Sequence, residues 1–532
     1  MTTLTPPIPS LTRRPPWYLV VPAVACVVGV ALPLAYLLIR AFEADWETFS
    51  TVVLRQRNLV LLGNTLMLCV VVLSIVTLLA VPIAWLTTRT DLPGRKTFTL
   101  LAVMPLAVPA YVMAYTLLGL GGPYGTTAQL LGFQLPMIRG FWGATLALSL
   151  YNLPYMFLNL RVAMQRLNPA LEEAARSLGQ PPWRVFAGVV LPQLRPAFLA
   201  GSLLVLLHVI GDFGAVSLMR FESFSYALFM QYEAGADRVY AAWLALMLIA
   251  ITGALLIVEL RFLRGFRLDP AGMAVPRARK PIRLGWWKLP ACLLLAGVAL
   301  AGIIVPLVTI LFWFSRHPEG LAGALDGAWA RSLGDSISAA LPAAILATLL
   351  ALPIAYMARR YSSRFSRGIE QSAYLGYATP ALAFALGLVF FSLRVTPWLY
   401  QTLFLLVYAY ALHFLAEAVG PIRSALYVAT PRLEEASRSL GWGRIQTFYR
   451  VTLPLLRSGI VVSVALVFLS AMKELPLTFI LSPLGFETLA KNLWSHTNEA
   501  MFAEAAPYAL TILIFSGLFV GLLLLRGHEE VS

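Results

Sequence analysis

Charge is scarce in this 532-residue chain. Only 12% of its residues are Asp, Glu, Lys or Arg, about half the ~25% typical of soluble domains. With 59% hydrophobic residues, the chain carries more apolar surface than one water-facing core can bury, so lipid must cover much of it. Strand-like alternation is missing as well, which argues against a β-barrel. Cysteine is nearly absent. Cys26, Cys69 and Cys292 all fall inside apolar runs, where they read as small apolar packers. Their number and spacing fit neither a disulfide framework nor a metal cluster. Lysine supplies only five of the 40 basic residues. The five are preceded by Arg95, Arg279, Trp287, Met472 and Ala490, so the Gly-Lys-Ser/Thr ending of a phosphate-binding loop does not occur. No catalytic residue is expected, and no cofactor bound by the chain itself. The five histidines are scattered, and no set of ligands converges to suggest a metal site.

Apolar runs of about 20 residues, each long enough to cross a hydrocarbon core of about 30 Å as a helix, are abundant. Twelve spans are expected: 17–39, 60–87, 97–119, 141–160, 197–218, 239–260, 289–314, 336–357, 371–393, 399–418, 458–480 and 506–525. The first is too long for the core of a cleaved signal peptide and reads as a retained span. The tails and the loops after the even-numbered spans hold 29 of the 40 basic residues, and the opposite loops hold nine. By the positive-inside rule both termini are cytoplasmic. That distribution also explains the net charge of +15 without nucleic acid as a partner.

The chain repeats itself. Residues 168–195, NPALEEAARSLGQPPWRVFAGVVLPQLR, match residues 430–457, TPRLEEASRSLGWGRIQTFYRVTLPLLR, without a gap at an offset of 262. An earlier block matches at an offset of 271, with AVPIAW around Pro82 against ALPIAY around Pro353 and Pro109 against Pro380. The nine-residue difference falls in an outside loop, where repeats diverge most easily. The expected fold is therefore an all-α membrane protein of twelve transmembrane helices in two tandem six-helix halves, a parallel repeat. The halves span 1–263 and 289–532, joined by a basic cytoplasmic linker over 264–288.

Each repeated loop has the marks of a compact helix–Gly–helix element at the cytoplasmic surface. Asn168 and Thr430 can cap a helix that starts with Pro169 or Pro431. Glu172, Glu173, Glu434 and Glu435 lie in the first turns, where the helix dipole favours negative charge. Gly179 and Gly441 are placed to end the helix.

The pattern Glu-Ala-Ala, three residues, Gly, nine residues, an aliphatic, any residue, Leu-Pro resembles the signature loop of permeases in ABC importers of the type I fold. It is met by Glu173-Ala174-Ala175, Gly179, Val189 and Leu191-Pro192, and again by Glu435-Ala436-Ser437, Gly441, Val451 and Leu453-Pro454. Ser437 stands where Ala is usual, and Val replaces the usual Ile in both copies. The resemblance implies that Glu172, Glu173, Ala174, Ala175 and Gly179, with Glu434, Glu435, Ala436, Ser437 and Gly441, couple to a separate ATPase. It implies two copies of that subunit at the cytoplasmic face, which use ATP and Mg, and a periplasmic substrate-binding protein at the outer face. The setting would be a bacterial inner membrane, multi-pass. Outer loops with acids such as Glu43, Asp45, Glu47 and Glu487 would receive the binding protein.

Polar groups inside spans are costly and usually face a cavity or a partner. His208 and Asp212 lie in span 5, and Lys473 and Glu474 in span 11; at the 262 offset Asp212 aligns with Glu474. These four are candidates for a translocation path, and a structural pair of Asp212 with Lys473 is the competing reading. The stretch Met472-Lys473-Glu474-Leu475-Pro476, followed by Leu484-Gly485-Phe486-Glu487-Thr488-Leu489-Ala490, resembles fused permeases of the ferric iron uptake group. Similar layouts import thiamine, polyamine, phosphonate or sulfate. A secondary transporter with two six-helix halves is the alternative class. It would need an ion-coupling site at the midplane and no duplicated loop.

Overall fold

Apolar composition commits nearly the whole chain to helix, because backbone groups in lipid must be satisfied within their own segment. A computed structural model describes residues 15–43, 47, 50–51, 55–235, 238–264, 281–323, 325–361 and 363–529. Helices account for almost all of them, and among the described residues the only extended pairing is one isolated parallel bridge between Thr90 and Ile282. The middle of the linker, 265–280, and Asp45 lie outside the described residues.

Six helices are long and apolar enough to cross a membrane unbroken: Trp17–Ala41, Gln56–Arg89, Val239–Glu259, Gly285–Ser315, Gly327–Arg360 and Ile445–Met472. Four more of the expected spans, 97–119, 197–218, 371–393 and 399–418, are not straight. They are the bent pairs Arg95–Ala107 with Ala110–Leu120 (95°), Trp183–Gln193 with Arg195–Gly211 (64°), Arg364–Ala378 with Ala381–Val395 (101°), and Leu403–His413 with Leu415–Val428 (51°). Length and hydropathy thus give six clear spans, and up to ten if each bent pair counts as one. Span 141–160 lies in the helix Gly140–Arg166, whose apolar face is diluted by Gly, Tyr, Trp and Asn152. Span 506–525 begins in the shorter apolar stretch Phe502–Leu518.

The two sharpest bends share a cause. Pro109 and Pro380 each precede a new helix, and a proline pushes the residue before it out of the helical region. Val108 (φ −102°, ψ 103°) and Thr379 (φ −79°, ψ 129°) are both extended. The matched prolines of the repeat therefore mark breaks.

The compact units cut across the sequence halves. One contains Met1–Asp45 and Ala330–Lys491, the other Trp46–Trp329 and Asn492–Ser532. In the first unit, helix Trp17–Ala41 packs on Arg364–Ala378 and Ala381–Val395. The fit is close: a Cβ on Gly387 would lie 2.5 Å from the Pro33 carbonyl oxygen. In the second unit, Val305–Ser315 packs on Ala110–Leu120 and on Phe502–Glu529. There the Trp313 indole donates to the Gly119 carbonyl at 3.2 Å, and the Tyr115 hydroxyl donates to that of Phe502 at 2.9 Å. The opening helix of each sequence half therefore sits in the unit dominated by the other half.

The described end of the linker is strapped to the second unit. Ile282 donates its amide to the Arg89 carbonyl at 2.9 Å and accepts from the Asp91 amide at 3.0 Å. Asp91 accepts from the Leu284 amide at 2.9 Å and pairs with Lys288 at 2.8 Å. The Lys288 hydrogen bond first, then the Leu284 amide, hold the Asp91 carboxyl below its ordinary range. A depressed folded pKa means a contribution that is full above the unfolded value of about 3.9 and is lost as pH falls through the folded value. Hydrogen exchange should therefore show the Leu284 amide equally protected, after correction for intrinsic rates, from neutral pH down to about 4 and released below. Asp91→Ala, which removes the acceptor, should release it already at pH 7.

Candidate functional site: the loop helices and their anchors

The loop helices run Pro169–Ser177 and Pro431–Ser439. The Asn168 side chain accepts the Ala170 amide at 3.0 Å. Thr430 occupies the same position but makes no side-chain cap. Both helices end alike. Gly179 (φ +75°) and Gly441 (φ +89°) adopt the left-handed conformation, where a side chain is strained. Two amides close each end, Gly179 to Arg176 and Gln180 to Ala175, repeated by Gly441 to Arg438 and Trp442 to Ser437. This 6→1 pattern satisfies carbonyls that the helix leaves open. A short second helix follows, Pro182–Val185 or Arg444–Thr447. A widened π-helical turn then leads into the next apolar helix, at Phe186–Val190 and Phe448–Thr452.

The structure separates the neighbouring acids that the sequence placed together. Glu173 and Glu435 are exposed. Glu172 and Glu434 turn inward, each onto the last residue of a long helix: Arg89 pairs with Glu172 at 2.8 Å, and Arg360 with Glu434 at 2.9 Å. The arginines are 8% and 2% exposed at the side chain, and a cation at a helix C-terminus is favoured by the dipole. Removing one partner of such a buried pair costs about 3–5 kcal/mol, because the other charge is stranded. Neither arginine stood among the sequence candidates, although the signal was present: Arg89 and Arg360 are 271 apart, the offset of the earlier repeat block.

The Ser437 departure from the motif has a partner. Its hydroxyl meets that of Thr447 at 3.0 Å, both buried. The equivalent positions in the first loop are Ala175 and Val185. A hydroxyl pair replaces an apolar pair, so no buried polar group is left unsatisfied.

The outward surface of each loop is apolar at its tip. Leu178 and Leu440 are 80% and 78% exposed, and the equivalent Trp183 and Ile445 are 65% and 74% exposed. Together with exposed Ala174 and Ala436, they form a small apolar patch beside Glu173 or Glu435. Side chains of this size are rarely left bare unless something covers them.

The path candidates fall in both units. In the second, the His208 ring stacks on Tyr155 at 4.5 Å, with Nδ1 at 2.7 Å from the Leu204 carbonyl. Asp212 accepts the Ala215 and Val216 amides at 3.0 and 3.1 Å. In the first, Glu474 accepts the Leu477 amide at 3.2 Å, and Lys473 interacts with the charges of Glu417 and Glu474. Glu417 accepts from the Ser470 hydroxyl at 2.7 Å. Repeat register relates these contacts, since Tyr155 aligns with Glu417 and His208 with Ser470 at the 262 offset. Among the described residues, no three His, Cys, Asp or Glu side chains converge as a metal site.

Two of the outer-loop acids already have partners. Glu43 pairs with Arg40 and with Arg394, the latter at 2.7 Å. Partial burial works to raise its carboxyl, but the two arginines prevail and hold it below its ordinary range. Glu487 pairs with Lys491 at 3.0 Å.

Residues 70–271 and 347–528 each match a family model described as a binding-protein-dependent transport system inner membrane component. The chain is 31% identical over 520 residues to the Fe(3+)-transport system permease protein FbpB 2 of Haemophilus influenzae, a match covering 96% of this chain and 99% of that one. It is 30% identical to the sulfate transport system permease protein CysT of Escherichia coli, over 35% of this chain and 67% of that one. It is 34% identical to the molybdenum transport system permease protein ModB of Escherichia coli, over 25% of this chain and 58% of that one.

Proposed function

The chain belongs to the family of binding-protein-dependent transport system inner membrane components, and from that premise we propose that it is the complete permease of an ATP-driven importer carrying ferric iron. A periplasmic binding protein delivers the ion, and two copies of a separate ABC ATPase dock at residues 168–195 and 430–457. Twelve crossings in two six-helix halves, 1–263 and 289–532, place both termini and both loops in the cytoplasm. The chain performs no catalysis; ATP and Mg are used by the ATPase. His208, Asp212, Lys473 and Glu474 shape the path by holding its broken helices.

One observation carries the choice of ion: the match to a permease named for Fe(3+) transport spans both halves, whereas those to sulfate and molybdenum permeases span about a third of the chain or less. The loop geometry supports the ATPase, because two apolar tips on helices with the same C-terminal closure suit grooves on a partner. The test is uptake by proteoliposomes containing the chain, its ATPase and its binding protein. ATP-dependent entry of labelled ferric iron is expected, with none of thiamine, polyamine or sulfate. Entry of sulfate but not iron would overturn the ion, and iron entry without any ATPase would overturn the class.

A further inference from the structure

We propose that the helix Arg95–Ala107 lies along the cytoplasmic surface of the bilayer, where Arg95, Lys96 and Arg161 hold the phosphate of an anionic phospholipid beside the tandem Trp286-Trp287. The site is independent of the ion carried, and takes from the reading above only that the loops face the cytoplasm. Arg95–Ala107 turns by 95° into Ala110–Leu120. When two joined helices stand at a right angle and one crosses the membrane, the other lies in its plane. Ala110–Leu120 carries no charge, whereas Arg95–Ala107 opens with two exposed cations, so the latter is the surface segment. Its cations oppose the helix dipole. Arg95 and Lys96 stand in the first turn, no acid shares that turn and no side chain caps it, and the positive end of a helix disfavours cations. An anion there removes the penalty and meets the open amides of the first turn.

The helix Gly140–Arg166 packs on Arg95–Val103 and carries Arg161, about 7 Å in rise from its loop end. Arg161 Nε is buried and meets no acceptor among the described residues. The other half shows what is missing. Arg423, equivalent to Arg161 at the 262 offset, pairs with Glu370 at 2.9 Å. The equivalent of Glu370 at the 271 offset is Thr99, which cannot answer a guanidinium. Asp91, the acid nearest Arg95 in sequence, is held by Lys288 at 2.8 Å. A half-buried guanidinium needs an acceptor from elsewhere, and a phosphodiester matches its fork of donors. The tryptophans identify the source of that phosphate. Helix Lys288–Ala299 packs on Arg95–Val103. Just before it, Trp286 and Trp287 lie with ring centroids 4.5 Å apart and are 74% and 56% exposed. Bare tryptophans at the end of an apolar helix belong at headgroup level, and a basic cluster beside them attracts anionic lipid. A free phosphate would gain nothing from the two indoles.

The test is native mass spectrometry of the full chain with its ATPase, released from detergent holding equal amounts of phosphatidylglycerol and phosphatidylcholine. Preferential retention of phosphatidylglycerol is expected. Its affinity should fall about fivefold in Arg161→Met and about twentyfold in Arg95→Gln with Lys96→Gln, a factor of about five for each cation near an anionic surface. Thr99→Glu supplies the acid that the second half already has. It should lower the affinity about fivefold while raising the unfolding temperature. If Arg161 served the fold alone, that temperature would rise with lipid retention unchanged. Wild-type retention in Thr99→Glu therefore overturns the proposal, as does equal retention of the two lipids by the wild-type chain. An excess of inorganic phosphate should leave the lipid bound; its displacement would make the ligand a free anion and overturn the lipid. Variants that kept the lipid but lost the ATPase on copurification would assign the surface to the ATPase, and the proposal would fall.

Discussion

Leu178→Asp together with Leu440→Asp should abolish uptake while leaving the chain folded. Both leucines are about four-fifths exposed at the end of a loop helix, so the substitutions remove no buried contact and create no cavity. Surface changes of this kind usually move stability by less than about 0.5 kcal/mol. At a docking site the arithmetic differs. An apolar anchor seated in a partner's pocket is worth about 2 kcal/mol or more, roughly thirtyfold in affinity. An aspartate adds the cost of burying a charge in that pocket. With both anchors replaced, uptake should fall at least about a hundredfold, and the ATPase should no longer copurify with the chain. Thermal unfolding in detergent should stay at the wild-type temperature. The measurement also separates docking from an alternative use of the same leucines. If they lay in the lipid surface, copurification would survive, and the docking reading of the loops would be wrong.

How much of this could be read from the sequence differs from element to element. The membrane-helical class follows from composition together with the missing strand-like alternation, because 12% charge and 59% hydrophobic residues call for lipid, and without a barrel's pattern only helices satisfy the backbone there. The loops were legible as well, since a gapless charged repeat with Pro at its start and Gly at its end specifies a helix closed by a left-handed Gly in both copies, although only Asn168, and not Thr430, makes the expected side-chain cap. The sides of the loop helix were not. Glu172 and Glu173 differ by one position, about 100° around a helix, and only the packing of the long helix behind the loop decides which one turns in. Arg89 could have been found, because its offset to Arg360 equals that of the surrounding block. The bends at Pro109 and Pro380 were hidden by their apolar surroundings. Hydropathy cannot distinguish a straight span from a broken one, and the proline rule acts on the residue before it. The placement of Trp17–Ala41 among helices of the other half depends on contacts such as Gly387 against Pro33, which leave no periodic signature in either partner.

The aligned acids Asp212 and Glu474 give the second large effect, and its sign depends on what they do. Each follows the end of a long apolar helix and precedes a short one, Gly214–Leu218 or Pro476–Leu481. The residue after each acid adopts nearly the same conformation, Phe213 at φ −113°, ψ −44° and Leu475 at φ −111°, ψ −54°. In both, the carboxylate accepts amides from the first turn of the short helix. The geometry is that of a cap, and a cap needs an acceptor, not a charge. Asp212→Asn with Glu474→Gln should therefore keep most of the uptake. Asp212→Ala with Glu474→Ala should lose about 1 kcal/mol at each break, about thirtyfold in the population of the correctly broken helices when both go. The loss should appear both in uptake and in a lower unfolding temperature. A charge that meets the passing ion would behave differently. The amide pair would then be as inactive as the alanine pair while unfolding at the wild-type temperature, and the acids would belong to the path by their charge and not by the shape they hold.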